Sequence, residues 1–132
     1  MVQSDIRSRR PLSPHLTIYK RIPTMVMSIF HRVTGAGLYF GIALVAWWLM
    51  AAAVGPAYFD WVNALFGSWF GRIVLLGLSW ALIHHMLGGV RHLIWDTGAW
   101  MDKKTATNLA WATIAGSLTL TLLVWGAAYA IR

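Results

Sequence analysis

The chain has 132 residues, of which 58% are hydrophobic and only 11% charged, with nine Trp. A soluble domain carries about a quarter of its residues as charges, so the composition excludes an ordinary water-soluble module and points to one small membrane domain over residues 1–132. The net charge of +7 suits the basic ends of an integral membrane protein rather than nucleic-acid binding, and the absence of cysteine excludes disulfides and thiolate-held iron–sulfur clusters.

In chain order, residues 1–24 are polar and basic, with no apolar h-region and no small-residue cleavage site, so no secretory signal peptide is expected there. Prolines at 11, 14 and 23 in RRPLSPHLTIYKRIPT favour extended or turn backbone. They predict an N-terminal arm over residues 1–28. Three apolar runs follow, at about 29–54, 73–94 and 109–131, each long enough to span a hydrocarbon core of about 30 Å. Between the first two lies GPAYFDWVNALFGSWFGR, whose Trp61, Phe66, Trp69 and Phe70 suit the headgroup region. The second connection, DTGAWMDKKTAT, is short and polar. The predicted fold is an all-α membrane protein of three transmembrane helices with an extended N-terminal arm.

Lys and Arg placement sets the expected orientation. Arg7, Arg9, Arg10, Lys20, Arg21 and Arg32 precede or open the first span, and Arg91, Lys103 and Lys104 flank the second connection. The opposite side has only Arg72 and Arg132. Nine against two places the N-terminus and the second connection in the cytoplasm or in a mitochondrial matrix; a bacterial inner membrane is expected ahead of a mitochondrial one.

Ionisable side chains inside a bilayer are costly and mark function, and the second span, ALIHHMLGGVRHLIWD, holds three of the five histidines. His85 lies eleven residues before Asp96, about 16 Å, which puts it near the midplane. His92 lies about 6 Å from that end. The two share a face to within about 20°, with Gly88 and Gly89 on or near it. A midplane imidazole above a bare patch suits an axial ligand to haem, the glycines being read as clearance for a flat cofactor. His31, Arg32, Arg91 and His92 would then be the cationic groups near the haem carboxylates. The alternatives are that His85 is simply hydrogen-bonded to a neighbouring helix, or that His84, about 100° round the helix, is the ligand. His84 fits packing better. A haem with two His ligands needs its second from another chain, which predicts an oligomer. On the first span, Ser28 and Arg32 are four apart on one face, and together could bind a quinone carbonyl. Alternatively, Ser28 caps the helix and Arg32 snorkels to phospholipid.

RPLSPHLTIY, SIFHRVTG and HMLGGVRHLIWDTG, in that order, resemble the cytochrome b membrane-anchor subunit of succinate dehydrogenase (complex II), the larger of its two anchor polypeptides. Arg10-Pro11, Ser28, His31-Arg32 and Thr34 match its first signature, and His85, Gly89, Arg91-His92, Asp96 and Gly98 its second. The resemblance implies half of a two-subunit haem-binding bundle, with His85 one axial ligand of haem b and the other supplied by a second small anchor subunit. It implies Ser28 and Arg32 as ubiquinone-site residues, His31 near a haem propionate, and Arg91 and His92 at the propionates or interface. Implied partners are the iron–sulfur and flavoprotein subunits and the lipid bilayer. The chain carries no flavin fingerprint and no cluster cysteines, so alone it is non-catalytic. Competing expectations are a fumarate reductase anchor using menaquinol, a haem-free structural anchor, and a small proton carrier.

Overall fold

The computed structural model describes residues 20–131 and has, among them, four helices: α1 (Pro23–Val54), α2 (Pro56–Gly67), α3 (Trp69–Asp96) and α4 (Lys103–Ala130). Arg10-Pro11, His15 and Arg132 lie outside the described residues. Helices α1, α3 and α4, of 32, 28 and 28 residues, are long and apolar enough to cross a membrane. At 1.5 Å per residue they run to about 42–48 Å, so their polar end turns reach past a hydrocarbon layer of about 30 Å.

Each long helix starts earlier than its apolar run, for reasons of capping. Pro23 occupies the first turn of α1, where its missing N–H is not needed and its fixed φ is already helical. Residues 23–28 therefore belong to α1 and not to the predicted arm. Ser68 caps α3 by accepting the Gly71 N–H at 3.1 Å, and Asp102 caps α4 by accepting the Thr105 N–H at 2.9 Å. That bond holds the Asp102 carboxyl below the ordinary carboxylate range. The aromatic connection is itself helical. Gly55 turns the chain from α1 into α2 with φ +144°, a backbone that side chains rarely adopt. Helix α2 is then tied back to the end of α1, since Trp47 Nε1 donates to Tyr58 Oη and Trp48 Nε1 to Asn63 Oδ1, both at 2.9 Å.

Burial is inverted relative to a soluble bundle. The buried side chains of α4 are Ala110, Thr113, Ser117 and Thr121, and those of α3 include Ala81, His84 and Arg91. Meanwhile Tyr39, Phe40, Ile42, Leu93, Leu122 and Leu123 face outward. Lipid is as apolar as leucine, so helix association relies on small residues that allow close approach and on hydrogen bonds between helices. Helix α3 packs against both α1 and α4. Along its antiparallel seam with α1, glycines alternate with larger side chains: Gly41 receives Leu78, Gly35 receives His85, and Gly88 receives His31. One register thus brings the histidines of two spans together.

Candidate functional site

His85 is half-buried on α3, and its ring is held by α1 from three directions. Nδ1 lies 3.1 Å from the His31 backbone carbonyl and 3.3 Å from Thr34 Oγ1. A carbonyl only accepts, so Nδ1 carries the proton and donates it. The lone pair is then on Nε2. The His31 ring stacks on the His85 ring with centroids 3.9 Å apart and planes at 23°. A Cβ at Gly35 would stand 3.0 Å from His85 Cε1, a crowded contact that would push the ring back by a few tenths of an ångström. The other predicted histidines on this side join it, because His31 meets His92 edge-on at 5.2 Å. His31 Nε2 is buried without a hydrogen-bond partner among the described residues.

Neighbouring His84, about 100° round α3, turns toward α4. It is 2% exposed, lies against Trp80 and Phe30, and has Nδ1 3.1 Å from Ser117 Oγ on α4. The Ser117 hydroxyl donates its hydrogen to the Ile114 carbonyl at 2.9 Å, so it accepts from His84. The adjacent histidines are therefore engaged by different helices, one by α1 and the other by α4.

The expected group of four cations divides. His31 and His92 gather beside His85, but Arg32 is exposed and Arg91 is drawn into the α3–α4 contact. Arg91 is only 4% exposed, with NH1 3.5 Å from Thr113 Oγ1, its guanidinium 5.1 Å from the Trp95 ring centre, and Nε without a partner among the described residues. One hydrogen bond at the limit of bonding distance and a cation–π contact are thin compensation for a buried charge. Its Nε–H is thus a donor free for an acceptor such as a carboxylate. Ser28 lies in the second turn of α1, half-buried, and the N-cap of that helix is Ile22. Helix capping is thus excluded as its role. Ser28 and Arg32 remain one turn apart at the end of the bundle where α1 begins, α3 ends and α4 begins.

The reading of Gly88 also needs correction. The group that Gly88 admits is the imidazole of His31, since a Cβ there would come within 2.5 Å of His31 Cδ2. A Cβ at Gly89 would meet nothing within 4 Å. With His31 confined between two other rings, Gly88→Ala is expected to destabilise the protein by about 1–3 kcal/mol through overpacking. Gly89→Ala relieves a flexible helix residue and should be neutral or stabilising by up to about 1 kcal/mol. Thermal unfolding of the two variants in detergent checks the opposite signs.

Thr34 and Gly35 stand in the first motif, but nothing in their spacing indicated that His85 would rest on them. Their role depends on the pairing of helices fifty residues apart. Among the described residues no three His, Asp or Glu side chains are arranged to hold a bare metal ion. A haem iron asks less of one chain: a single imidazole with its lone pair free and fixed. His85 offers such an imidazole, its ring oriented by the hydrogen bond to the His31 carbonyl.

A family described as "Succinate dehydrogenase/Fumarate reductase transmembrane subunit" matches residues 6–124. The chain is 43% identical over 117 residues to a protein of Paracoccus denitrificans named succinate dehydrogenase cytochrome b556 subunit, covering 89% of this chain and 90% of that one. A Rickettsia felis protein of the same name is 35% identical over 93% of this chain and 96% of its own. The human mitochondrial succinate dehydrogenase cytochrome b560 subunit is 39% identical over 99 residues, 71% of this chain and 57% of that one.

Proposed function

The chain belongs to the succinate dehydrogenase/fumarate reductase transmembrane subunit family, a multi-pass membrane protein, and we propose that it anchors a succinate:ubiquinone oxidoreductase. In this reading it binds haem b jointly with a second, smaller anchor subunit and forms part of the site where ubiquinone is reduced. The observation that carries it is the His85 ring, fixed by the His31 carbonyl with Nε2 left as the ligand atom. The three relatives above all bear succinate dehydrogenase names, which favours this branch over a fumarate reductase anchor.

Each residue then has a task set by its chemistry. His85 Nε2 would hold the haem iron, and its Nδ1–H keeps the ring from turning. Arg91, poorly compensated where it lies, is suited to a propionate carboxylate. His31 and His92 supply polar edges between that end and His85. Haem b, when bound, supplies a one-electron carrier within the bilayer. Ser28 and Arg32 offer a hydroxyl and a guanidinium to a quinone carbonyl, the guanidinium opposing negative charge that develops on reduction. Lys20, Arg21, Arg32, Arg91, Lys103 and Lys104 all fall toward one end of the bundle, and Arg72 toward the other. This asymmetry supports an N-terminus on the cytoplasmic side of a bacterial inner membrane, or on the matrix side of a mitochondrial one. The same basic end is where an iron–sulfur subunit, and behind it a flavoprotein, would dock.

Affinity purification through a tag on this chain is expected to bring down a flavoprotein, an iron–sulfur protein and a second small membrane protein, with a b-type absorption spectrum. Isolation of the chain alone and colourless refutes the proposal. In that complex Arg32→Leu should lower quinone reductase activity by about 10–100-fold, as for a charged hydrogen bond of about 1.5–3 kcal/mol, and Ser28→Ala by about 2–10-fold. Succinate oxidation by a soluble dye should be unchanged in both. Equal loss of the two activities would mean failed assembly and would remove the quinone assignment.

A further inference from the structure

We propose that Thr34 is a positioning residue for the haem ligand, its hydroxyl serving as the second acceptor of the His85 Nδ1–H and thereby setting the electron density at Nε2. The inference rests on the reading of His85 as an axial ligand.

The direction of each hydrogen bond follows from the geometry. Thr34 is 3% exposed, so water does not satisfy its hydroxyl. Its one hydrogen goes to a carbonyl of its own helix, with Phe30 O at 2.8 Å and His31 O at 3.1 Å, the back-bonding that threonine makes in helices. The oxygen lone pairs are then available to His85 Nδ1 at 3.3 Å. The ring proton is shared between the His31 carbonyl at 3.1 Å and the Thr34 hydroxyl. Both acceptors come from α1, and Gly35 clears the ring edge beside them. Among the described residues, the hydrogen-bond acceptors of the ring thus both come from the neighbouring span.

Acceptors on the distal N–H raise the basicity of the coordinating nitrogen. A more basic nitrogen favours ferric over ferrous iron, because the ferric ion carries the extra positive charge. Removing one acceptor weakens that preference. Threonine to valine keeps the branched shape and deletes the hydroxyl, while the His31 carbonyl still fixes the tautomer.

In the complex purified from membranes, Thr34→Val should retain haem at the native stoichiometry. Its midpoint potential should move to a more positive value, and the low-spin ferric electron paramagnetic resonance signal should shift. Thr34→Ser, which keeps the hydroxyl, should restore both. Haem loss in Thr34→Val that Thr34→Ser repairs also supports the proposal, since the hydroxyl is then what the site needs. An unchanged potential in haem-loaded Thr34→Val overturns it, as does any defect that Thr34→Ser fails to repair. His85→Ala separates the two levels: a variant that keeps native haem removes the ligand reading itself. If His85→Ala loses haem and Thr34→Val has the native potential, only the role of Thr34 fails.

Discussion

His85→Ala is expected to abolish the b-type haem spectrum of the assembled complex, while His84→Ala leaves it in place. The two residues are adjacent and chemically identical, so the contrast depends on what holds each ring. His85 faces α1, with Nδ1 committed to a backbone carbonyl and Nε2 left with its lone pair. His84 faces α4, with Nδ1 committed to Ser117 and its ring enclosed by Trp80 and Phe30. Loss of His84 should therefore register as stability, with about 1–3 kcal/mol for leaving Ser117 without its buried partner. Absorption spectra and melting curves of the two purified variants decide between them. A haem lost from His84→Ala and kept in His85→Ala would reverse the assignment.

Arg91→Leu should weaken haem retention by about 10–100-fold, the usual cost of removing a group that supports a bound centre from outside its ligand set. The argument is one of incomplete compensation. The guanidinium is buried in the α3–α4 contact, its Nε has no partner among the described residues, and its shortest polar contact is a 3.5 Å approach to Thr113. An unpaired buried charge is costly, so replacing one that has no carboxylate would leave the protein equally stable or more so. Haem titration and thermal unfolding of the same variant give opposite results in the two cases. Weaker haem binding means that Arg91 holds a carboxylate. Unchanged binding with a higher melting temperature means that it does not.

Much of the architecture was legible because a bilayer imposes simple rules. A run of about 20 apolar residues must be helical to satisfy its backbone, and the runs at 29–54 and 73–94 fall within α1 and α3, while 109–131 falls within α4 but for its last residue. The ends were less legible, since they are set by local chemistry that hydropathy ignores. Pro23 begins a helix rather than breaking one, and Asp102 draws Lys103–Asn108 into α4. The 12-residue helix α2 likewise depends on Gly55, Pro56 and hydrogen bonds to Trp47 and Trp48.

At the site, depth along a single helix separated His85 from His92, because rise per residue is a property of the chain itself. Which ring faces which neighbour was not accessible in that way. Gly88 looked like room for a cofactor and proved to be room for His31, and Arg91, expected in one group with His31, Arg32 and His92, proved to be buried against α4. Sequence alone determined three spans, their basic end and a histidine near the midplane, all consequences of hydrophobic length and local periodicity. Only the packing of α1 against α3 and of α3 against α4 decided that His85 rests on Thr34, Gly35 and the His31 carbonyl while His84 turns to Ser117. Those contacts join residues 33 to 54 positions apart, and small side chains matched in register at a helix seam leave no periodic trace in either helix on its own.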